Sequence, residues 1–311
     1  DGDLRRGILS GKRLEESIED LYFQSPTILE KGAYSKTDLK GLFLEHRFEL
    51  IPVVDESGVI VDVHTWDQVL NDGETSEVGH CDLPVVIMAG GRGTRLEPFT
   101  KILPKPLVPV EGRPVIDHII DRFTRFGVKD IYLSINYKSR ILKAFFEEDE
   151  REYNVSFVEE SEPLGTAGSL RMLTGSLAGP FLVTNCDVLV DLDLEDLEKF
   201  HRERKNVATI VASAKKFVIP YGQCVLDKIG NLASIEEKPE HNYLVNAGLY
   251  LLESEVLDLI APGEFLHVTS LLERVRERGG RVGVYPVGEN SWIDVGQWSE
   301  YRKAVELFRQ V

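Results

Sequence analysis

Three glycines and four cations crowd into one short stretch of this chain. Val85, Val86 and Ile87 have the character of a central buried strand, and Gly90, Gly91 and Gly93 follow at once. Without Cβ atoms, such a turn lets backbone N–H groups come close to an anion. Arg92, Arg95, Lys101 and Lys105 supply positive charge within the same stretch. The chemistry these residues serve is the holding of phosphates. Two familiar forms of that chemistry do not fit. The turn lacks the Lys-Ser/Thr ending of a Walker A loop, and Leu96 stands where a dinucleotide fingerprint has its third glycine. Against a formal net charge of -16, the cations predict a local trap for a polyanionic substrate.

The elements that must position this turn can be read from the alternation of apolar patterns. The spacing predicts helices over 115–126 and 138–148, and strands over 131–135, 155–159 and 181–184, the last leading into Asn185-Cys186-Asp187. That order implies an α/β fold with a mostly parallel, doubly wound Rossmann-like sheet and helices on both faces. Ligands of such sheets sit beyond the carboxyl ends of the strands, so Asp187 shares an edge with the glycine turn. At 311 residues and 42% hydrophobic content, the chain is long enough for one large domain and a smaller one. The acidic balance excludes a nucleic-acid or anionic-membrane surface. No apolar run approaches a membrane span, and the opening DGDLRRGILSG has no signal-peptide pattern, so a cytoplasmic protein is expected. Cys81, Cys186 and Cys224 are far apart and form no C-x-x-C, which argues for inert thiols rather than disulfides or zinc.

Gly93-Thr94-Arg95 followed by Pro104-Lys105-Pro106 resembles the signature of the sugar nucleotidyltransferases, the NDP-sugar pyrophosphorylases, and the resemblance covers nearly all of residues 84–311. It implies a reaction of NTP with sugar 1-phosphate to give NDP-sugar and pyrophosphate, with Mg²⁺ as cofactor. Arg95, Lys105, Asp187 and Lys238 are then the catalytic set, and Ala89, Gly90, Gly91, Gly93 and Thr94 cradle the nucleotide. Asp187 in Asn-Cys-Asp and Asp294 in Trp-Ile-Asp-Val-Gly match the metal-binding acids. Glu237-Lys238-Pro239, Asn246-Ala247-Gly248 and Tyr221-Gly222 resemble the family's sugar-binding motifs, which places Gly222, Glu237, Asn246 and Gly248 around the sugar. His267-Val268-Thr269 replaces an acidic or apolar pair at the edge of that pocket. Glu160-Ser161-Glu162-Pro163-Leu164-Gly165-Thr166 resembles the base-binding segment, with Glu160, Pro163, Gly165 and Thr166 as nucleotide contacts. Its form is most similar to mannose 1-phosphate guanylyltransferases, and a carboxylate at 160 can accept from N1–H and N2–H₂ of guanine. GTP is therefore favoured, with a mannose-, glucosamine- or heptose-type sugar 1-phosphate. A uridylyl-, cytidylyl- or thymidylyltransferase, or a catalytically silent regulatory subunit, remains the alternative.

The first seventy residues differ in character. Ile51 to Gly58 and the strand that follows resemble the hairpin of a CBS domain, and Asp3 matches the acid of a preceding copy, so residues 1–70 are expected to be a partial CBS pair. The natural chain is then expected to start upstream of residue 1. Such pairs bind adenine nucleotides or dimerise, which makes an adenine nucleotide and a second copy of the chain candidate partners. In the second copy, His64 takes the place of the ribose-side hydroxyl, and Asp67 is the acid. Glu19 to Ser25 looks like a protease-tag scar but continues the CBS-like pattern. A polar stretch through 71–83 reads as the linker.

Overall fold

The computed structural model describes residues 26–35, 38–39, 41–43, 48, 50–65, 68–69, 79–148 and 150–308. Asp3, Glu19 to Ser25, Asp67 and most of the expected linker lie outside them. The chain divides into two compact units, residues 1–69 and 70–311.

In the first unit β1 (Leu29–Glu30) pairs in parallel with β2 (Leu50–Val54), which pairs in antiparallel fashion with β3 (Ile60–Thr65). The hairpin joining β2 and β3 turns through Asp55 to Gly58, where the Asp55 side chain accepts from the N–H groups of Ser57 and Val59. Leu39, Phe43, Ile51 and Val69 form its small core.

The second unit is built on a seven-stranded sheet. Its strands are β4 (Val85–Met88), β7 (Asp130–Ile135), β8 (Asn154–Glu159), β9 (Phe181–Asn185), β11 (Ala208–Val218), β14 (Glu240–Leu252) and β15 (Val282–Val287). The order is β15-β11-β14-β9-β4-β7-β8. Only β14 runs against the others, so the sheet is mostly parallel, as the alternation of patterns predicts. Three small two-stranded sheets flank it: β5 (Pro109–Val110) with β6 (Arg113–Pro114), β10 (Val188–Val190) with β16 (Trp292–Asp294), and β12 (Gly222–Leu226) with β13 (Leu232–Glu237).

Side chains alternate across the strands, so the sheet separates two cores. Val85 and Ile87 face a core filled from α2 (Val115–Thr124), α3 (Ser139–Glu147), α4 (Leu194–Glu203) and α6 (Trp298–Phe308). Val86 and Met88 face a second core filled by Leu170, Leu173 and α5 (Val268–Glu277). The remaining helix, α1 (Phe99–Ile102), is a single turn after the glycine segment. α4 is capped by Asp193, whose carboxylate accepts from the N–H groups of Glu195 and Asp196. Among the described residues no helix is long and apolar enough to cross a membrane.

Candidate functional site

β4 delivers the chain into the glycine turn at the sheet edge where β7 and β9 also end. Gly93 occupies left-handed backbone (φ 64°) and caps the short 3₁₀ turn Thr94–Leu96. A Cβ there would lie 2.9 Å from both Lys105 Cβ and Thr100 Cγ2, so glycine is required by conformation and by packing. Thr100 Oγ1 donates to the Gly93 carbonyl at 2.9 Å and holds the turn closed. Pro104, Lys105 and Pro106 form a stiff corner with Pro106 and Leu107 buried. That corner sends the Lys105 side chain back toward the turn with only 12% of it exposed.

A cleft of about 380 Å³ opens here. Gly90, Gly91, Gly93, Thr94, Arg95, Lys105 and Asp187 line one part of it, and Glu160, Pro163, Gly165 and Thr166 another. Eleven predicted residues that span nearly a hundred positions of sequence therefore meet in one cavity. Ala89 is buried behind them, its N–H bonded to the Ser134 carbonyl. Arg92 and Lys101 turn elsewhere, Arg92 over the Tyr137 ring at 6.0 Å and Lys101 to Glu97 at 3.2 Å.

Asp187 sits in the turn between β9 and β10, its side chain 9% exposed, and ion-pairs with Lys105 Nζ while Arg95 Nη2 stands 3.9 Å away. The second acid arrives from far along the chain. β16 lies antiparallel to β10 with Asp294 opposite Val188, and the Val295 N–H donates to the Asp187 carbonyl at 2.8 Å. Asp294 does not line the cleft itself but stands behind Asp187. A Cβ on Gly296 would overlap Asp187 Oδ2 and lie 2.9 Å from Asp294 Oδ1, so a glycine-sized cradle brings the two carboxylates together. Among the described residues no cluster of three or more His, Cys, Asp or Glu could hold a metal. A divalent ion that keeps several waters needs only one or two carboxylates, so the Asp187–Asp294 pair fits such an ion.

Glu160 is 6% exposed, not a solvated loop residue. Its Oε1 is 2.5 Å from Ser134 Oγ, and its Oε2 accepts from the Leu164 N–H at 2.9 Å. The carboxylate thus pegs the loop from Ser161 to Gly165 in addition to facing the cleft. Glu159, on the opposite face of β8, pairs with Lys143 at 2.7 Å, and that bond holds its carboxyl below the usual range. Glu162 is exposed.

The expected sugar residues are less well gathered. Gly222 and Glu237 face each other across the β12–β13 hairpin, and exposed Lys238 follows with φ 49°. None of the three lines the cleft. The Asn246 amide bonds to Tyr250 Oη at 2.8 Å and accepts from the Gly248 N–H at 2.9 Å. Gly248 abuts Asn185, which does line the cleft. His267 is likewise in the cleft, but it is tied to the Leu164–Ala167 loop rather than to the expected sugar residues. The neighbouring Val268 N–H donates to Thr166 Oγ1 at 3.0 Å.

Sequence reasoning missed Met88, Asn185, Cys186 and Phe265 as cleft residues. Position offered a signal for the first three, since each adjoins a strand end that carries a predicted site residue. Phe265 had no local signal. Burial pushes the Cys186 thiol up to about 12 and the Cys81 thiol up to about 11, which agrees with inert thiols, whereas Cys224 is exposed.

Comparison with known proteins gives a consistent result. Residues 84–310 match the family described as Nucleotidyl transferase. Mannose-1-phosphate guanyltransferase 2 of Candida glabrata is 36% identical over 236 residues, covering 72% of this chain and 64% of that relative. The mannose-1-phosphate guanyltransferase of Candida albicans is 41% identical over 235 residues, again covering 72% of this chain and 64% of the relative. The chain thus spans 64% of the length of these two relatives. The crystal structure of HddC from Yersinia pseudotuberculosis complexed with GMP-PN aligns with a TM-score of 0.57 at 27% identity, covering 73% of this chain and 99% of that one.

Proposed function

The chain belongs to the nucleotidyl transferase family, and we propose that it transfers a nucleotidyl group from an NTP, GTP favoured, to a sugar 1-phosphate of mannose, glucosamine or heptose type. A phosphate oxygen of the sugar 1-phosphate attacks the α-phosphorus in line, the bond to the bridging oxygen breaks, and pyrophosphate leaves. The observation that carries this proposal is the single cleft in which the glycine turn, Arg95, Lys105 and Asp187 meet the Glu160–Thr166 loop. Guanine is further supported by the names of the fungal relatives and by the guanine nucleotide analogue in the HddC complex.

Catalysis in this proposal is positioning and charge neutralisation, with no protein nucleophile. Arg95, largely exposed at the cleft mouth, holds the outer phosphates, and Lys105, its side chain mostly enclosed, holds those nearest the reacting centre. Asp187 and Asp294 would hold a divalent cation, Mg²⁺ in our reading, whose bound charge offsets that of the phosphates. Lys238 would hold the phosphate of the sugar 1-phosphate, Glu237 would accept from sugar hydroxyls, and Asn246, from β14, would bond the sugar. A silent regulatory subunit would be expected to have lost acids or cations that are all present here.

Residues 84–311 are the transferase domain in this proposal, 71–83 the linker and 1–70 a partial CBS domain pair. Tyr34 Oη lies 2.6 Å from His64 Nε2, so that histidine already has a partner.

The test is a panel of five common NTPs against hexose, hexosamine and heptose 1-phosphates, scored by pyrophosphate. Release with GTP and one sugar class is expected. No release with any pair would sink the proposal, while a preference for UTP or dTTP would sink only guanine.

A further inference from the structure

We propose that Phe265 and His267 form the outer wall of the nucleobase subsite, with the Phe265 ring as the surface on which the base stacks. This inference rests on the nucleotidyl transfer proposed above. The segment that carries both residues is stitched to the base-side loop by three hydrogen bonds. The Leu266 N–H donates to the Leu164 carbonyl at 2.9 Å, the Ala167 N–H to the Leu266 carbonyl at 3.0 Å, and the Val268 N–H to Thr166 Oγ1 at 3.0 Å. The backbones approach so closely that a Cβ on Gly165 would overlap the Leu266 carbonyl oxygen. Alternation along this extended stretch does the rest. Leu266 points into the core at 5% exposure, and its neighbours Phe265 and His267 both face the cleft.

Phe265 is 59% exposed, so its ring contributes little to packing while Leu266 anchors the segment. Its one ring contact among the described residues is His267, edge-to-face at 5.0 Å between centroids and 81° between planes. That contact leaves a flat apolar ring at the rim of the cleft that Pro163 and Gly165 also line. A planar heteroaromatic ligand is what such a face takes, and a purine covers more of it than a pyrimidine. The two residues therefore set base class, while Glu160 sets which purine.

Equilibrium binding of GTP to the full chain, with steady-state kinetics for both substrates, tests this. Phe265→Ala should weaken GTP binding about tenfold, the lower part of the range for one base–aromatic stack. The KM for sugar 1-phosphate should stay within about twofold, and the preference for purine over pyrimidine nucleotides should narrow. Phe265→Trp should restore GTP binding where Phe265→Leu does not, an outcome that a merely structural role would not produce. If the unmodified chain binds GTP and Phe265→Ala binds it equally well, the stacking wall is refuted and nucleotidyl transfer stands. A change confined to the sugar 1-phosphate KM refutes it also. If the unmodified chain neither binds an NTP nor releases pyrophosphate, both fall together.

Discussion

Gly296→Ala is the sharpest probe of the acid pair. Gly296 is not among the glycines in left-handed backbone, so alanine fits the local chain without conformational cost. All of the effect then comes from the added methyl group, which would overlap Asp187 Oδ2 and stand 2.9 Å from Asp294 Oδ1. To reach an ordinary van der Waals separation, the Asp187 carboxylate must retreat by roughly 1 Å or more. A misplacement of that size at a reacting centre costs about 10²-fold in kcat, or about 2.7 kcal/mol of activation free energy. The assay is pyrophosphate release at saturating GTP and sugar 1-phosphate over a Mg²⁺ titration, with a thermal melt as the control for folding. We expect kcat to fall about a hundredfold, the Mg²⁺ requirement to rise, and the melt to shift by only a few degrees. Turnover near that of the unmodified chain, at an unchanged Mg²⁺ requirement, would refute the idea that Asp187 and Asp294 act through one shared ion.

Lys105→Met should cost stability as well as rate. It leaves Asp187, 9% exposed, with Arg95 at 3.9 Å as its remaining cation. The loss of a buried partner is worth on the order of 3 kcal/mol, so calorimetry should show a melt several degrees lower, with kcat down roughly 10²- to 10³-fold; an unchanged melt would contradict the pairing. Glu160→Gln and Glu160→Ala separate two roles. Glutamine can still accept from the Leu164 N–H and meet Ser134, so the melt should hold while the preference for GTP over ATP narrows about tenfold. Alanine should instead raise the KM for every nucleotide, and identical behaviour of the two variants would reduce Glu160 to a loop peg. His201 carries a pH prediction. It is 1% exposed, and burial holds its pKa below the ordinary value despite Glu253 at 3.4 Å. The unfolded chain therefore binds a proton that the folded chain resists once pH drops below about 6.5, so stability present at pH 7 to 8 declines as pH falls toward the lowered folded value. His201→Gln should flatten that decline in a series of melts, and an unaltered slope would assign it to other groups.

Much of the second unit was legible because its strands are apolar runs bounded by turn residues. The strand and helix expected at 131–135 and 115–126 appear as Asp130–Ile135 and Val115–Thr124. Gly93 and Lys105 were paired in the sequence because a phosphate cradle needs both an unhindered turn and a cation, and the structure does bring them into contact in one cleft. Glu160 was harder. Three glutamates in four residues look like a solvated loop, and what sends Glu160 inward is the strand register that points Val158 in and Glu159 out. Phe265 was not legible at all, since its place in the cleft is set by hydrogen bonds to a loop about a hundred residues earlier. The β12–β13 arm shows the same limit from the other side. Its motifs name their residues, but the pairing of Gly222 with Glu237 sets them on one hairpin outside the cleft lining, a placement the motifs alone do not carry.

The pairing of β10 with β16 bears on how the molecule comes into being. Asp187 and Asp294 are separated by roughly a hundred residues, and bringing them together closes a long loop. A chain made from its N-terminus forward holds the phosphate turn, Lys105 and Asp187 well before β16 exists. On the reading proposed above, the groups that would face anions then form before the pair of acids that would hold a cation. In the proposed transferase the acid pair is complete only once β16 is in place, where the Trp292 indole N–H donates to the Ala247 carbonyl and the β10–β16 pairing sets Asp294 opposite Val188, next to Asp187.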